Sequence, residues 1–324
     1  MNDTMLQQNF IFIVKGILMI KQIIWNTQTT YYIANDDISI WLNPSDGMNL
    51  YEIKHKEKPL VKFYEDRLND DKTCSVMTLF PTPNRIRDGV FIFEGKKYQG
   101  KNHGFIKHAP FTVTKVLDTK YGGTIEAKLV ISPTEDNVYY QSFPFSCTLT
   151  LQITLDKNTI SYKYSISNHD NKTLPYGLAI HPFFEKQEDD VTIQVFADSY
   201  MENDSHQLPT GTILPSIGEY DLKKPTHVNS LCLDHVYTNI SAQPCAVIEY
   251  SDKTVILQAS EEFKKLVVYT PVNSPFFCLE NQTCSTDAIN LYHKGFKEES
   301  SLICLKPQEE KEGEIQIIIT AKES

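Results

Sequence analysis

Arginine is nearly absent from this chain: three occur in 324 residues, Arg67, Arg85 and Arg87. Acidic residues outnumber basic ones, leaving a net charge of −10. A nucleic-acid footprint needs basic patches that neutralise phosphates, so that class of partner is not expected. The seven cysteines form an odd set without a CxxC pair. A secreted disulfide framework favours an even count in a short chain, and a zinc site needs clustered Cys and His. Reduced thiols and no structural metal are therefore expected. A long unbroken apolar run is missing too. The stretch "NFIFIVKGILMIKQIIW" (9–25) is interrupted by Lys15 and Lys21 and is short for a bilayer span. No basic residue precedes it and no small-residue cleavage site follows, unlike a signal peptide. It reads as a strand with an extension ahead of it, residues 1–22; the alternative is a membrane-directed segment, and Met19 is a second candidate start.

Helical periodicity, fixed-period repeats and linker-like composition are also lacking, which leaves one domain over 23–324 as the economical expectation. What the chain does have is alternation. In "SCTLTLQITLDKNTISYKYSISN" (146–168), Cys147, Leu149, Leu151, Ile153 and Leu155 alternate with polar residues. After the turn "DKN", Ile160, Tyr162, Tyr164 and Ile166 do the same. Period two on both sides of a polar turn predicts a hairpin with one buried face. "VFIFEGKKYQ" (90–99) predicts a second hairpin turning at Glu94-Gly95, and "VTIQVFA" a short strand. "KLVVYTP" (265–271) is apolar on both faces and belongs in the middle of a sheet. "EIQIIIT" (314–320) is expected to close the chain after the solvated run "QEEKEGE". The class is all-β, with sheets packed face to face.

Three segments carry candidate chemistry. In "YGLAIHPFF" (176–184), Pro182 biases His181 toward extended backbone at a strand end. Phe183 and Phe184 supply a flat apolar wall of the kind a pyranose ring lies on. A core histidine satisfied by a carbonyl would look the same. "SPFFCLENQTCSTDAINL" (274–291) runs an apolar strand into Glu280, which is either an exposed strand end or a buried carboxyl tuned for acid/base work. "FPTPNRIRDGVFIFEGKKYQ" (80–99) holds Arg85 and Arg87, whose planar forks suit hydroxyls or an anion. Just downstream, His103 precedes a glycine that permits close backbone approach.

Taken in order, "PNRIRDG", "NHG", "PFSCTLTLQITL", "GLAIHPFF", "LDHVYT" (233–238) and "FFCLENQTCSTDAINL" resemble the aldose 1-epimerase (galactose mutarotase-like) superfamily, from about Ile23 to the carboxyl end. "DGMNLYEIKHKEKPLV" resembles its early strand and turn. The resemblance implies a β-supersandwich of large, mostly antiparallel sheets with a sugar in an open cleft. It gives Glu280 the role of catalytic base and His181 that of acid, facing each other across the sugar. His103 and Arg85 would hold substrate, and Asp234 would bond sugar hydroxyls. The motif "HPFF" looks more like the broadly specific branch than the galactose-specific one. The expected activity is an isomerase, an aldose 1-epimerase acting on a hexose without a cofactor. Such a protein would be cytoplasmic, monomeric or homodimeric, with no nucleic-acid or membrane partner. The alternatives are a hexose-phosphate 1-epimerase, with Arg87 and Lys96, Lys97 or Lys107 on the phosphate, and a non-catalytic carbohydrate-binding protein.

Overall fold

The computed structural model describes residues 19–25, 28–64, 67, 74–187, 190–240 and 243–322. The extension expected ahead of the first strand lies, up to position 18, outside these residues. The strand itself, Ile20–Trp25, pairs with Gln28–Ala34.

Alternation governs the fold as expected. Cys147–Asp156 and Thr159–Asn168 form the predicted hairpin, closing with Asp156 opposite Thr159. Leu149 faces Ile166, Leu151 faces Tyr164 and Ile153 faces Tyr162, all buried. Each such Leu or Ile contributes roughly 1.5–3 kcal/mol by leaving water. Val90–Phe93 and Lys96–Gln99 form the second hairpin, with positive φ at both Glu94 and Gly95, as a two-residue turn matched to strand twist requires.

Two differences have clear causes. "VTIQVFA" is two strands: Thr192–Val195 belongs to one sheet, and after Phe196 the chain enters the other as Ala197–Asn203. The closing strand begins at Glu310, inside the charged run. There Glu310 accepts hydrogen bonds from Ser165 and Ser167, and Glu314 from Ser161, on the solvent side of the neighbouring strand. Those serines give the carboxylates partners without burying them.

Among the described residues the strands assemble into a twelve-stranded and a nine-stranded sheet, with antiparallel pairing between neighbours. One large core cluster draws on both, joining Leu149, Ile153 and Ile317 of one sheet to Ile180, Leu279 and Val268 of the other. Lys265–Tyr269 lies mid-sheet, between Asp234–Ile240 and Phe276–Gln282, as its two apolar faces predict. Among the described residues, helix is confined to short turns such as Ala288–His293 and Lys297–Ser300. Among the described residues, no helix is long and apolar enough to cross a membrane.

Candidate active site

The site is built on the face of the twelve-stranded sheet turned away from the shared core. Ala179–Glu185, Phe276–Gln282, Lys265–Tyr269 and Asp234–Ile240 lie side by side there. Their register sets Ala179 opposite Gln282 and Phe183 opposite Cys278, so His181 falls opposite Glu280. Glu280 in turn faces Val267, and Val267 faces Val236. The neighbouring row runs Phe183, Cys278, Tyr269, Asp234 by the same pairings. Two residues nearly a hundred positions apart are thus juxtaposed by strand register alone.

His181 is 5% exposed and Glu280 2% exposed, with Nε2 of the imidazole 3.3 Å from Oε1 of the carboxyl. They are adjacent, where the sequence led us to expect them across a sugar from each other. Gln282 Nε2 donates to Glu280 Oε2 at 3.1 Å and fixes the carboxyl from behind. Phe183 stacks on the imidazole, centroids 4.7 Å apart and planes 13° from parallel. Arg67 lies over the rings of Phe183 and Phe276 at 5.0 and 5.1 Å.

Burial decides the charge state of the pair. It pushes Glu280 up to about 8, with Asp234 acting in the same direction and the Gln282 hydrogen bond and Arg85 against it. It holds His181 well below 6.5, aided by His103 and Arg67. The nearby arginine therefore does not keep Glu280 ionised; desolvation outweighs it. At neutral pH the favoured arrangement is a protonated carboxyl beside a neutral imidazole, one proton shared between two groups.

A cavity of about 620 Å³ opens over the pair and is walled by His103, Arg85, Asp234, Tyr269, Lys101 and Lys107. His103 sits at φ 63, its ring 5.6 Å from that of His181, and its backbone N–H donates to the Asn84 carbonyl at 2.7 Å. Gly104 is needed next to it: a Cβ there would lie 2.0 Å from the Phe80 carbonyl oxygen. Arg85 Nη2 donates to Asp234 Oδ2 at 2.7 Å. Its loop is pinned by Asp287, whose backbone N–H donates to the Arg85 carbonyl and whose Oδ1 accepts the Arg87 N–H.

Glu280, His181, His103, Arg85 and Asp234 thus all line one cavity. Two other candidates do not. Phe184 is fully buried in the shared core against Phe277, because period two turns residues 182 and 184 away from the face that carries 181 and 183. Phe183 takes the place beside the imidazole. Arg87 points elsewhere and is paired with Asp204, and the left-handed backbone at Asp88 bends the chain away immediately after it. Lys96 and Lys97 are exposed on their hairpin, so of the phosphate-binding candidates only Lys107 reaches the cavity. Cys278 was not anticipated, although it shares a face with Glu280 by the same period. Its Sγ, the imidazole and the carboxyl lie within 4.8 Å of one another, the one donor trio among the described residues close enough to share a cation.

These features define a β-supersandwich of the galactose mutarotase type with a buried acid/base pair under an open cavity. A family model for aldose 1-epimerase matches residues 46–318, and the chain belongs to that family. The fold is also that of a galactose mutarotase-like protein from Clostridium acetobutylicum, at 25% identity over 94% of this chain and 99% of that one, TM-score 0.83. A galactose 1-epimerase from Lactobacillus acidophilus superposes with a TM-score of 0.75 at 15% identity, covering 95% and 100% of the two chains. An aldose epimerase homologue from C. elegans does so at 0.72 and 15%, covering 91% and 100%.

Proposed function

We propose that this protein interconverts the α and β anomers of a hexose by opening and reclosing the ring, with Glu280 and His181 as the proton-transfer pair. The observation that carries this is the pair itself: two buried titratable groups 3.3 Å apart at the floor of a cavity large enough for a hexose.

The anomeric hydroxyl O1 and the ring oxygen O5 are both bonded to C1. An acid and a base that serve them must therefore be neighbours, and adjacency suits the task better than opposition across the ring. Passing the shared proton from Glu280 to His181 gives a carboxylate beside an imidazolium. The carboxylate takes the O1 proton while the imidazolium gives its proton to O5, the C1–O5 bond breaks, and a carbonyl forms at C1. This leaves the protonated carboxyl and neutral imidazole that burial favours. After rotation about C1–C2, the imidazole takes back the O5 proton as O5 attacks the other face of the carbonyl, and the carboxyl protonates O1. No electron pair or proton is left over. Each positioned transfer contributes about 10² to 10⁴-fold, and holding the ring in register adds more. His103, Arg85 and Asp234 offer donors and acceptors for hydroxyls along the wall.

Of the phosphate-binding candidates, Arg87 is engaged by Asp204 and Lys96 and Lys97 stand outside the cavity, whereas Lys107 lines it beside Lys101, so a side-by-side assay on glucose and glucose 6-phosphate decides between a neutral and a phosphorylated hexose. A purely binding role would need no such pair. Polarimetry of freshly dissolved α-glucose and α-galactose tests the proposal. Wild type should hasten the approach to anomeric equilibrium, and Glu280→Gln and His181→Ala should each lose about 10² to 10⁴-fold. Wild-type rates equal to buffer for every common aldose would eliminate it.

A further inference from the structure

Lys265 is an anomaly that the epimerase reading does not use. It lies on the same sheet face as Glu280, one row further along, opposite Gln282. Its side chain is buried, with the residue 2% exposed, yet its one hydrogen bond is to a neutral hydroxyl, Thr238 Oγ1 at 2.7 Å. Among the described residues no carboxylate comes within ion-pair distance of it. A buried ammonium with a single neutral partner is costly, and lysines are normally buried only when paired. The ionisable groups around it are Cys284, Cys245, Glu299, Glu298, Glu261 and Lys264.

Lys265 and its hydrogen-bond partner Thr238 both line a second cavity, of about 530 Å³, together with Phe263, Gln243, Ser260 and the acidic rim of Glu261, Glu298 and Glu299. Met201, Val236, Val267 and Leu291 form an apolar cluster on the same sheet face that includes neither cavity's polar groups. The second cavity shares no lining residue with the one over His181 and Glu280.

We infer that Lys265 is a carbonyl-capturing amine, forming an imine with small neutral aldehydes admitted by this second cavity. The amine nitrogen attacks the aldehyde carbon, the carbonyl oxygen leaves as water with the two amine hydrogens, and a C=N bond replaces the C=O. The product is uncharged, so the fold no longer carries an underpaired ammonium. The Thr238 hydroxyl, which accepts from the ammonium, can donate to the imine nitrogen instead. An acidic rim with Lys264 as its only other cation disfavours anionic aldehydes. Burial also lowers the amine to about 8, with Cys284 and Glu299 opposing. At about pH 7.5 that leaves a free-amine fraction on the order of a hundredfold above that of an ordinary lysine.

The test uses the wild-type protein, glycolaldehyde as the probe and cyanoborohydride to trap the imine, with peptide mass mapping of every lysine. Lys265 should be the first lysine modified, ahead of exposed Lys96 and Lys97, and its labelling should rise with a midpoint near pH 8. Labelling of Lys265 no faster than those two, or with their pH dependence, would overturn the inference. Either outcome is independent of whether the other cavity turns over a sugar.

Discussion

Replacing Glu280 by glutamine isolates the energetic consequence of burying that carboxyl. In the fold it titrates near 8, against 4.5 for an ordinary glutamate. Below about pH 4.5 it is protonated in both folded and unfolded chains and makes no difference between them. As the pH rises the unfolded chain releases its proton while the folded chain keeps it, so the wild type loses stability until the folded carboxyl ionises near 8. At about 1.4 kcal/mol per pH unit, the loss over this window is on the order of 5 kcal/mol. Glutamine has the same shape and does not ionise. Urea unfolding of both proteins at about pH 4 and pH 9 should therefore show the variant gaining on the wild type by several kcal/mol across that range. Taking the difference between the two proteins cancels the titration of every group that does not interact with Glu280. A difference independent of pH would mean that the carboxylate is already ionised in the fold at neutral pH, and the reasoning from burial would fail.

The rate of mutarotation should depend on pH as a plateau bounded on both sides, since the pair works with one proton: the acid limb well below 6.5, the alkaline limb near 8. An acid limb above 6.5 would contradict this. Gln282→Leu removes the donor that favours the ionised carboxyl, so the alkaline limb should move upward; an unmoved limb would show that the hydrogen bond has no such effect. Phe184→Ala should cost about 3–5 kcal/mol of stability and leave KM unchanged, whereas a raised KM would put that ring back in the site. Exhaustive dialysis against EDTA should leave turnover intact, because acid and base are both side chains. A loss restored by zinc would instead place a cation on His181, Cys278 and Glu280.

Local order was legible where one face of a strand is buried and the other is wet. The 147–168 hairpin shows this: its period is written residue by residue, and its register follows from a two-residue turn. The pairing of His181 with Glu280 was not legible in that way, since strand order in a large sheet depends on long-range packing. Family resemblance named both residues, and register explains why they meet. Period two could have separated Phe183 from Phe184 and drawn attention to Cys278, since alternate residues share a face. Arg67 stood in the chain as the third arginine, but nothing in "EDRLNDDKT" signals that it lies over two phenylalanines beside the cavity. The split of "VTIQVFA" at Phe196 was hidden for a related reason: an apolar strand reads the same whether it stays in its sheet or crosses to another.

A crystal structure with a hexose bound would test the central claim most directly. The anomeric carbon should lie over the pair, with O1 and O5 within hydrogen-bonding distance of Glu280 Oε1 and His181 Nε2. A sugar bound in this cavity with C1 turned away from both side chains would contradict it.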